Sequence, residues 1–252
     1  PLTSSVLQAL PDAARLILIG DVDQIPSIGP GNVLADIINS GFVPVVRLTK
    51  PRRQAAKSAI VRAAHAIRQG QTPRLDNFPS SDDISVVYIN EANDALSAVT
   101  DVVSALVQAD LPRSQIQIIT PTNRGPAGVH SINEAVAHLL REAVAASECP
   151  DLKDWPAPFT RFQPGDRAIN TKNNYDLEIY NGDIGTVVRM TEIPVTTDDA
   201  SLDNESKTRK ALEVQFQQGT VPLSSEDLDK LMPAWAITIH KSQGSEFNFL
   251  VI

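Results

Sequence analysis

The sequence is poor in cysteine, aromatic residues and long apolar runs. One cysteine, Cys149, among 252 residues excludes an internal disulfide and fits a reducing cytoplasmic setting. The four histidines, His65, His130, His138 and His240, are scattered without ligand spacing, so no structural zinc site is expected. No apolar stretch approaches the ~18–20 residues that span a bilayer, and an integral membrane protein is not expected. The opening residues, Pro1 to Asp12, lack the basic start and apolar block of a secretory signal. With 42% hydrophobic and 21% charged residues, the chain has the material for a buried core.

Acidic residues dominate: the net charge is −8, which by itself argues against a polyanion partner. Distribution matters more than the sum. Residues 47–74 contain Arg47, Lys50, Arg52, Arg53, Lys57, Arg62, Arg68 and Arg74 and no acid. Such a run reads either as a solvated basic helix face or as a phosphate contact, and only a motif can separate the two.

The pattern along the chain alternates strand with helix. Residues 3–10 read as the end of a helix. Leu16 to Ile19 reads as a buried parallel strand, running straight into Gly20-Asp21. Val43 to Val46 and Ile84 to Ile89 are further short strands, and Gln54 to Gln69 is an amphipathic helix stopped by Gly70. A helix over 94–108, a strand over 115–120 and an Ala-rich helix over 127–146 complete a parallel α/β pattern. Four prolines in 150–164 mark an irregular linker. From 165 to 223, short strands and turns then indicate a small β-module, plausible as a barrel. Residues 194–207 read as a mobile hairpin tip. Trp235 to His240 and Phe247 to Ile252 restore the buried-strand style, so the β-module reads as inserted into an α/β domain.

Three segments carry candidate chemistry. GDVDQIPSIGPG (20–31) places acid, amide and glycines at a strand end, where ligand crevices form, although Gly-Asp alone is an ordinary turn. RLTKPRRQA (47–55) sets paired arginines before a helix; their planar forks suit phosphate, and paired arginines are also common surface decoration. The largely polar segment TIHKSQGSEF (238–247) separates two buried strands, a costly loop unless it binds something.

Taken in order, these segments resemble superfamily 1 helicases of the RecD-like kind. GDVDQIPSIGPG resembles motif III, RLTKPRRQA motif IV and AITIHKSQGSEF (236–247) motif V. TPTNRGPAG (120–128) is similar to a segment near the translocating strand, and 165–188 to an inserted SH3-like barrel. The resemblance implies an α/β fold with a RecA-like parallel sheet of the P-loop NTPase type. Its parts would be the end of a first motor domain (1–42), a second motor domain (43–160 and 229–252) and an SH3-like β-barrel (161–228). It also implies roles. Gln24 would sense the γ-phosphate with Asp21 nearby, and Arg53 would act as a finger on that phosphate. Gly244 and Glu246 would sit near the nucleotide, with Arg124, Thr238 and His240 on the DNA. The cofactors implied are ATP and Mg2+, and the partner single-stranded DNA, in a repair, recombination or conjugation setting with 5′-to-3′ movement. Few aromatics imply that stacking contributes less than phosphate contacts.

The phosphate loop G-x-x-x-x-G-K-[ST] is absent, and no strand ends in the Asp-Glu pair that holds magnesium. The expectation is therefore a piece of a longer enzyme, inactive alone, whose Mg2+ ligands and phosphate cradle lie upstream. Competing readings are a non-catalytic DNA-binding or regulatory module and the motor of a conjugative relaxase-helicase.

Overall fold

The computed structural model describes residues 2–26, 29, 31–48, 58–80, 83–142, 159–194 and 208–252. It divides into two compact units, residues 1–88 and 89–252. The first contains α1 (Leu2–Ala9), α2 (Val33–Ser40) and α3 (Ala59–Arg68), with β1 (Asp76–Asn77) pairing in parallel with β2 (Ser85–Val86). Asp83 fixes the start of α3. Its carboxylate accepts from the Ala59 and Ile60 N–H groups at 2.7 and 3.3 Å and from the Ser58 hydroxyl. Ser58 in turn accepts from the Val61 N–H at 3.3 Å, so orphan amides of the first turn are satisfied.

This unit departs from the sequence expectation in three places. Leu16 to Ile19 forms no strand, and Ile17 and Ile19 are 81% and 94% exposed. Val43 to Val46 is likewise unpaired, and the strand expected over 84–89 is reduced to Ser85–Val86. A strand buried on both faces needs flanking strands and covering helices. Among the described residues of this unit, only the two-residue β1–β2 pair exists. Ala63 is the one buried hydrophobic residue described here, so Ile60 and Ile67 of the amphipathic α3 stay exposed. Residues 54–57 of that helix lie outside the described residues.

The second unit matches the α/β expectation. The elements α4 (Ala95–Gln108), β3 (Ile116–Thr120) and α5 (Val129–Glu142) follow in order, and 143–146 lies outside the described residues. After α5 the chain departs into five strands: β4 (Arg167–Asn170), β5 (Ile184–Pro194), β6 (Thr208–Phe216), β7 (Gly219–Ser224) and β8 (Leu231–Pro233). It then returns as β9 (Ala236–Thr238) and β10 (Phe249–Val251). A parallel sheet has the order β10-β3-β9, with β3 buried at all five residues. Val103 of α4, Ile132, Val136 and Leu140 of α5, and Ile118, Trp235 and Ala236 form its core. The β9 backbone at Ala236 faces away from β3, where Asn133 of α5 meets it. The Asn133 amide donates to the Ala236 carbonyl and its oxygen accepts the Ala236 N–H, both at 2.9 Å. One side chain thus replaces a missing strand neighbour.

The five departing strands form an antiparallel sheet in the order β7-β6-β5-β4-β8. Among the described residues β7 and β8 do not pair, so the sheet is open and the expected closed barrel is not found. Phe159 and Phe162 are buried in its core with Leu212, Val214, Leu228 and Leu231. The linker expected over 150–164 therefore ends as part of the module, although 150–158 lies outside the described residues, as do 195–207 of the expected hairpin tip. Ile119, Ile169, Ala234 and Ile237 join this sheet to the parallel one in a shared apolar seam. Polar ties cross the same seam: Arg141 to Asp166 at 3.0 Å, and the Arg167 guanidinium to the Ser114 carbonyl.

Asn133→Leu should strand the buried Ala236 N–H and carbonyl and destabilise this unit by about 2 kcal/mol, seen as a lower urea midpoint. An unchanged midpoint would show that β9 needs no outer partner. The Asp83 carboxyl is held below its ordinary value, first by the Ser58 hydroxyl and then by the Ala59 and Ile60 amides, against partial desolvation. A carboxylate depressed in the folded state stabilises fully above its unfolded value of about 3.9, and that stabilisation is lost as pH falls through the folded value. Asp83→Ala should therefore reduce amide-exchange protection at Ala59 and Ile60 near neutral pH, and change little in strong acid.

Candidate nucleic-acid and nucleotide interface

Parallel sheets bind ligands beyond the C-terminal ends of their strands, where loops diverge. In the second unit, β3 and β9 end side by side, with Thr120 opposite Thr238 in the register. The segments 121–128 and 239–248 therefore leave the sheet from one end, the C-terminal end of its strands. The structure thus brings Arg124 to the same end as Thr238 and His240, a juxtaposition that sequence spacing does not contain.

The 120–128 segment is wound tightly. The Thr120 hydroxyl donates to the Ala127 carbonyl, the Gly128 N–H to the Gly125 carbonyl at 3.0 Å, and the Ser131 hydroxyl to the same carbonyl at 3.0 Å. The Val129 and His130 amides at the start of α5 donate to the Thr122 and Asn123 carbonyls at 3.0 and 3.3 Å. Arg124 is exposed on this turn. A Cβ at Gly128 would lie 2.6–2.8 Å from the Arg124 backbone, so the turn closes only over glycine.

After β9 the chain makes a 3-10 turn over Ile239–Ser242, capped by the half-buried Thr238, whose hydroxyl oxygen accepts the Lys241 N–H at 3.4 Å. The Ser242 hydroxyl donates to the Ile239 carbonyl at 2.8 Å, and the Ser245 N–H to the Ser242 carbonyl at 3.0 Å. Gly244 has φ +79°, a left-handed conformation that side chains rarely adopt. His240, Gly244 and Glu246 are exposed. Lys241 reaches out of this loop to donate to the Asn181 side-chain oxygen at 3.1 Å, tying it to the β-module. Its contact partner lies 60 residues away, so no local signal could have revealed it. Asn133 did leave a signal, a polar residue on the apolar face of an amphipathic helix.

The remaining expected residues lie in the first unit. Asp21 and Gln24 are both exposed on a turn. Asp21 accepts the Asp23 N–H on its carboxylate at 2.9 Å, and the Gln24 N–H reaches the Asp21 carbonyl at 3.4 Å. Asp23 pairs with Arg68 of α3 at 2.8 Å, an exposed ion pair of small energetic weight. Arg53, with Arg52, lies outside the described residues. Among the described residues no three His, Cys, Asp or Glu side chains converge to hold a metal, and the Asp21 and Asp23 carboxylates point to other partners. The described residues therefore do not fit a magnesium site by themselves. Among them, too, no helix is long and apolar enough to cross a membrane.

A family model described as an AAA domain matches residues 2–88. The ATP-dependent RecD2 DNA helicase of Deinococcus radiodurans is 28% identical over 244 residues, covering 97% of this chain and 29% of that protein. The RecBCD enzyme subunit RecD of Mycobacterium tuberculosis is 25% identical over 265 residues, covering 100% of this chain and 42% of that protein. The chain thus spans well under half the length of these relatives. A crystal structure of Bacteroides Pif1 bound to ssDNA covers 66% of this chain and 44% of its own, at 17% identity and a TM-score of 0.30, too slight a likeness to bear on function.

Gly128→Ala should force the 124–128 turn open and lower stability by about 1–3 kcal/mol. Faster hydrogen exchange at the Val129 and His130 amides would register the opening, and parental exchange rates would show that the turn tolerates a methyl group.

Proposed function

We propose that this chain, RecD-like in sequence along nearly its whole length, is part of an ATP-dependent DNA helicase that moves on single-stranded DNA and unwinds duplex. The observation that carries the reading is the shared C-terminal end of two strands of the parallel sheet. From it leave the segments that resemble the strand-contacting turn and motif V, at paired residues Thr120 and Thr238. Arg124, Thr238 and His240 face the DNA backbone from that end, where a guanidinium, a hydroxyl and an imidazole suit phosphate oxygens. Gly244 and Glu246 lie beyond them on the nucleotide side.

On the first unit, Gln24 responds to the γ-phosphate, with Asp21 nearby on the nucleotide. Arg53 stabilises the charge that develops on that phosphate as it transfers. Magnesium enters as the counter-ion of ATP, and no ligand for it is assigned to the described residues. In the whole enzyme, hydrolysis is coupled to movement along the strand. The boundaries that fit this reading are 1–42 for the end of one motor domain, and 43–160 with 229–252 for the second. The insertion at 161–228 is an SH3-like β-module. A cytoplasmic enzyme of recombination or repair, 5′-to-3′ in direction, follows the same likeness, and the relatives' names favour it over a non-catalytic module. The chain alone is proposed to be inactive, because it contains no phosphate loop.

In the protein that carries this chain, Arg53→Ala should lower DNA-stimulated ATP turnover by roughly 10³-fold or more while leaving ATP binding nearly intact. Arg52→Ala is the control for register. Loss with Arg52→Ala alone would move the finger by one residue. Normal turnover in both variants would remove the finger from this segment.

A further inference from the structure

Two of the chain's three tyrosines sit in the loop between β4 and β5, and the proposed function leaves them unused. Tyr175 and Tyr180 are 73% and 48% exposed, with ring centroids 6.2 Å apart and planes at 74°. Ring pairs of this edge-to-face kind are ordinarily found with their apolar area covered. Here the loop holds them outward. Asn174 and Ile179 exchange both backbone hydrogen bonds, at 2.7 and 3.0 Å, and Ile179 is buried beneath with Leu177 packed beside the module core. The Tyr180 N–H donates to Asp183 at 2.8 Å, and the Asn181 N–H to the Asn173 side-chain oxygen at 2.8 Å. The Asn173 amide donates to the Tyr175 hydroxyl at 3.1 Å, and Gln218 braces the Glu178 carbonyl at 3.1 Å. Asn181, next to Tyr180, receives Lys241 from the loop that carries Thr238 and His240.

We propose that Tyr175 and Tyr180 form a stacking platform for an unpaired nucleobase of a single strand whose backbone passes the 238–247 loop. The inference rests on the proposed function and extends it from phosphate contact to base contact. An edge-to-face pair leaves one ring face open and bounds it with the other ring, a shape that accepts any base through its π-face. The hydrogen-bonded loop pre-organises the rings, so little ordering is needed when the base arrives. Asp176 and Glu178, exposed at the loop tip, repel phosphate. The strand backbone is thereby kept toward Lys241, and the base is what meets the rings.

The test uses the protein that carries this chain and a thymidine oligonucleotide with 2-aminopurine placed at successive positions. One position should be quenched by stacking. Tyr175→Ala and Tyr180→Ala should each relieve that quench and weaken binding between about five- and about a hundred-fold. Tyr175→Phe and Tyr180→Phe should restore both, since the ring and not the hydroxyl stacks. The slope of log affinity against log salt should not change in the tyrosine variants, whereas Lys241→Ala should reduce it by roughly 0.7. Parental quench and affinity in the double alanine variant, with Arg124→Ala still weakening binding, would overturn the platform and leave the proposed function standing. A parent protein that binds no single strand at all would overturn the proposed function, and the platform with it.

Discussion

The second unit depends on how one short strand is held on both edges. β9 has three residues, Ala236 to Thr238, and begins more than ninety residues after the end of α5, beyond the β-module. On one edge it pairs with β3; on the other, Asn133 takes both backbone groups of Ala236. A three-residue strand with one bare edge would leave buried amides without partners, and each such group is costly. Because the clasp comes from α5, the helix before the insertion grips the strand after it.

The same economy appears where the β-module meets the parallel sheet. The apolar seam of Ile119, Ile169, Ala234 and Ile237 gives contact area, and the Arg141–Asp166 pair and Arg167 give it orientation. Burial pushes the Arg167 guanidinium below its ordinary value, as expected for a cation withdrawn from water with a backbone carbonyl as its partner. These contacts hold the module to the parallel sheet. Its loop tip, carrying Tyr175 and Tyr180, keeps a defined place beside the 238–247 loop, through Lys241 and Asn181.

The contrast with the first unit is physical. Leu16, Ile17, Leu18 and Ile19 have the composition of a central strand, and so do Val43, Val45 and Val46. Their composition states a demand for burial on two faces, and the described residues of 1–88 contain nothing that meets it. In 89–252 the same kind of run, Ile116 to Thr120, finds neighbours on both sides and is buried throughout.

What the sequence determined by itself was local. Period and composition defined α4, α5, β3 and the β-rich insertion, because each reflects burial demands read over a few residues. The ordered motifs carried the resemblance to RecD-like helicases for the same reason, since short segments carry their own chemistry. Tertiary structure alone decided that Thr120 and Thr238 stand opposite each other, that Asn133 completes β9, and that the five-stranded sheet is open among the described residues. Each of these joins residues tens of positions apart. Such pairings are selected by the summed packing of the whole unit, so no window along the chain contains them.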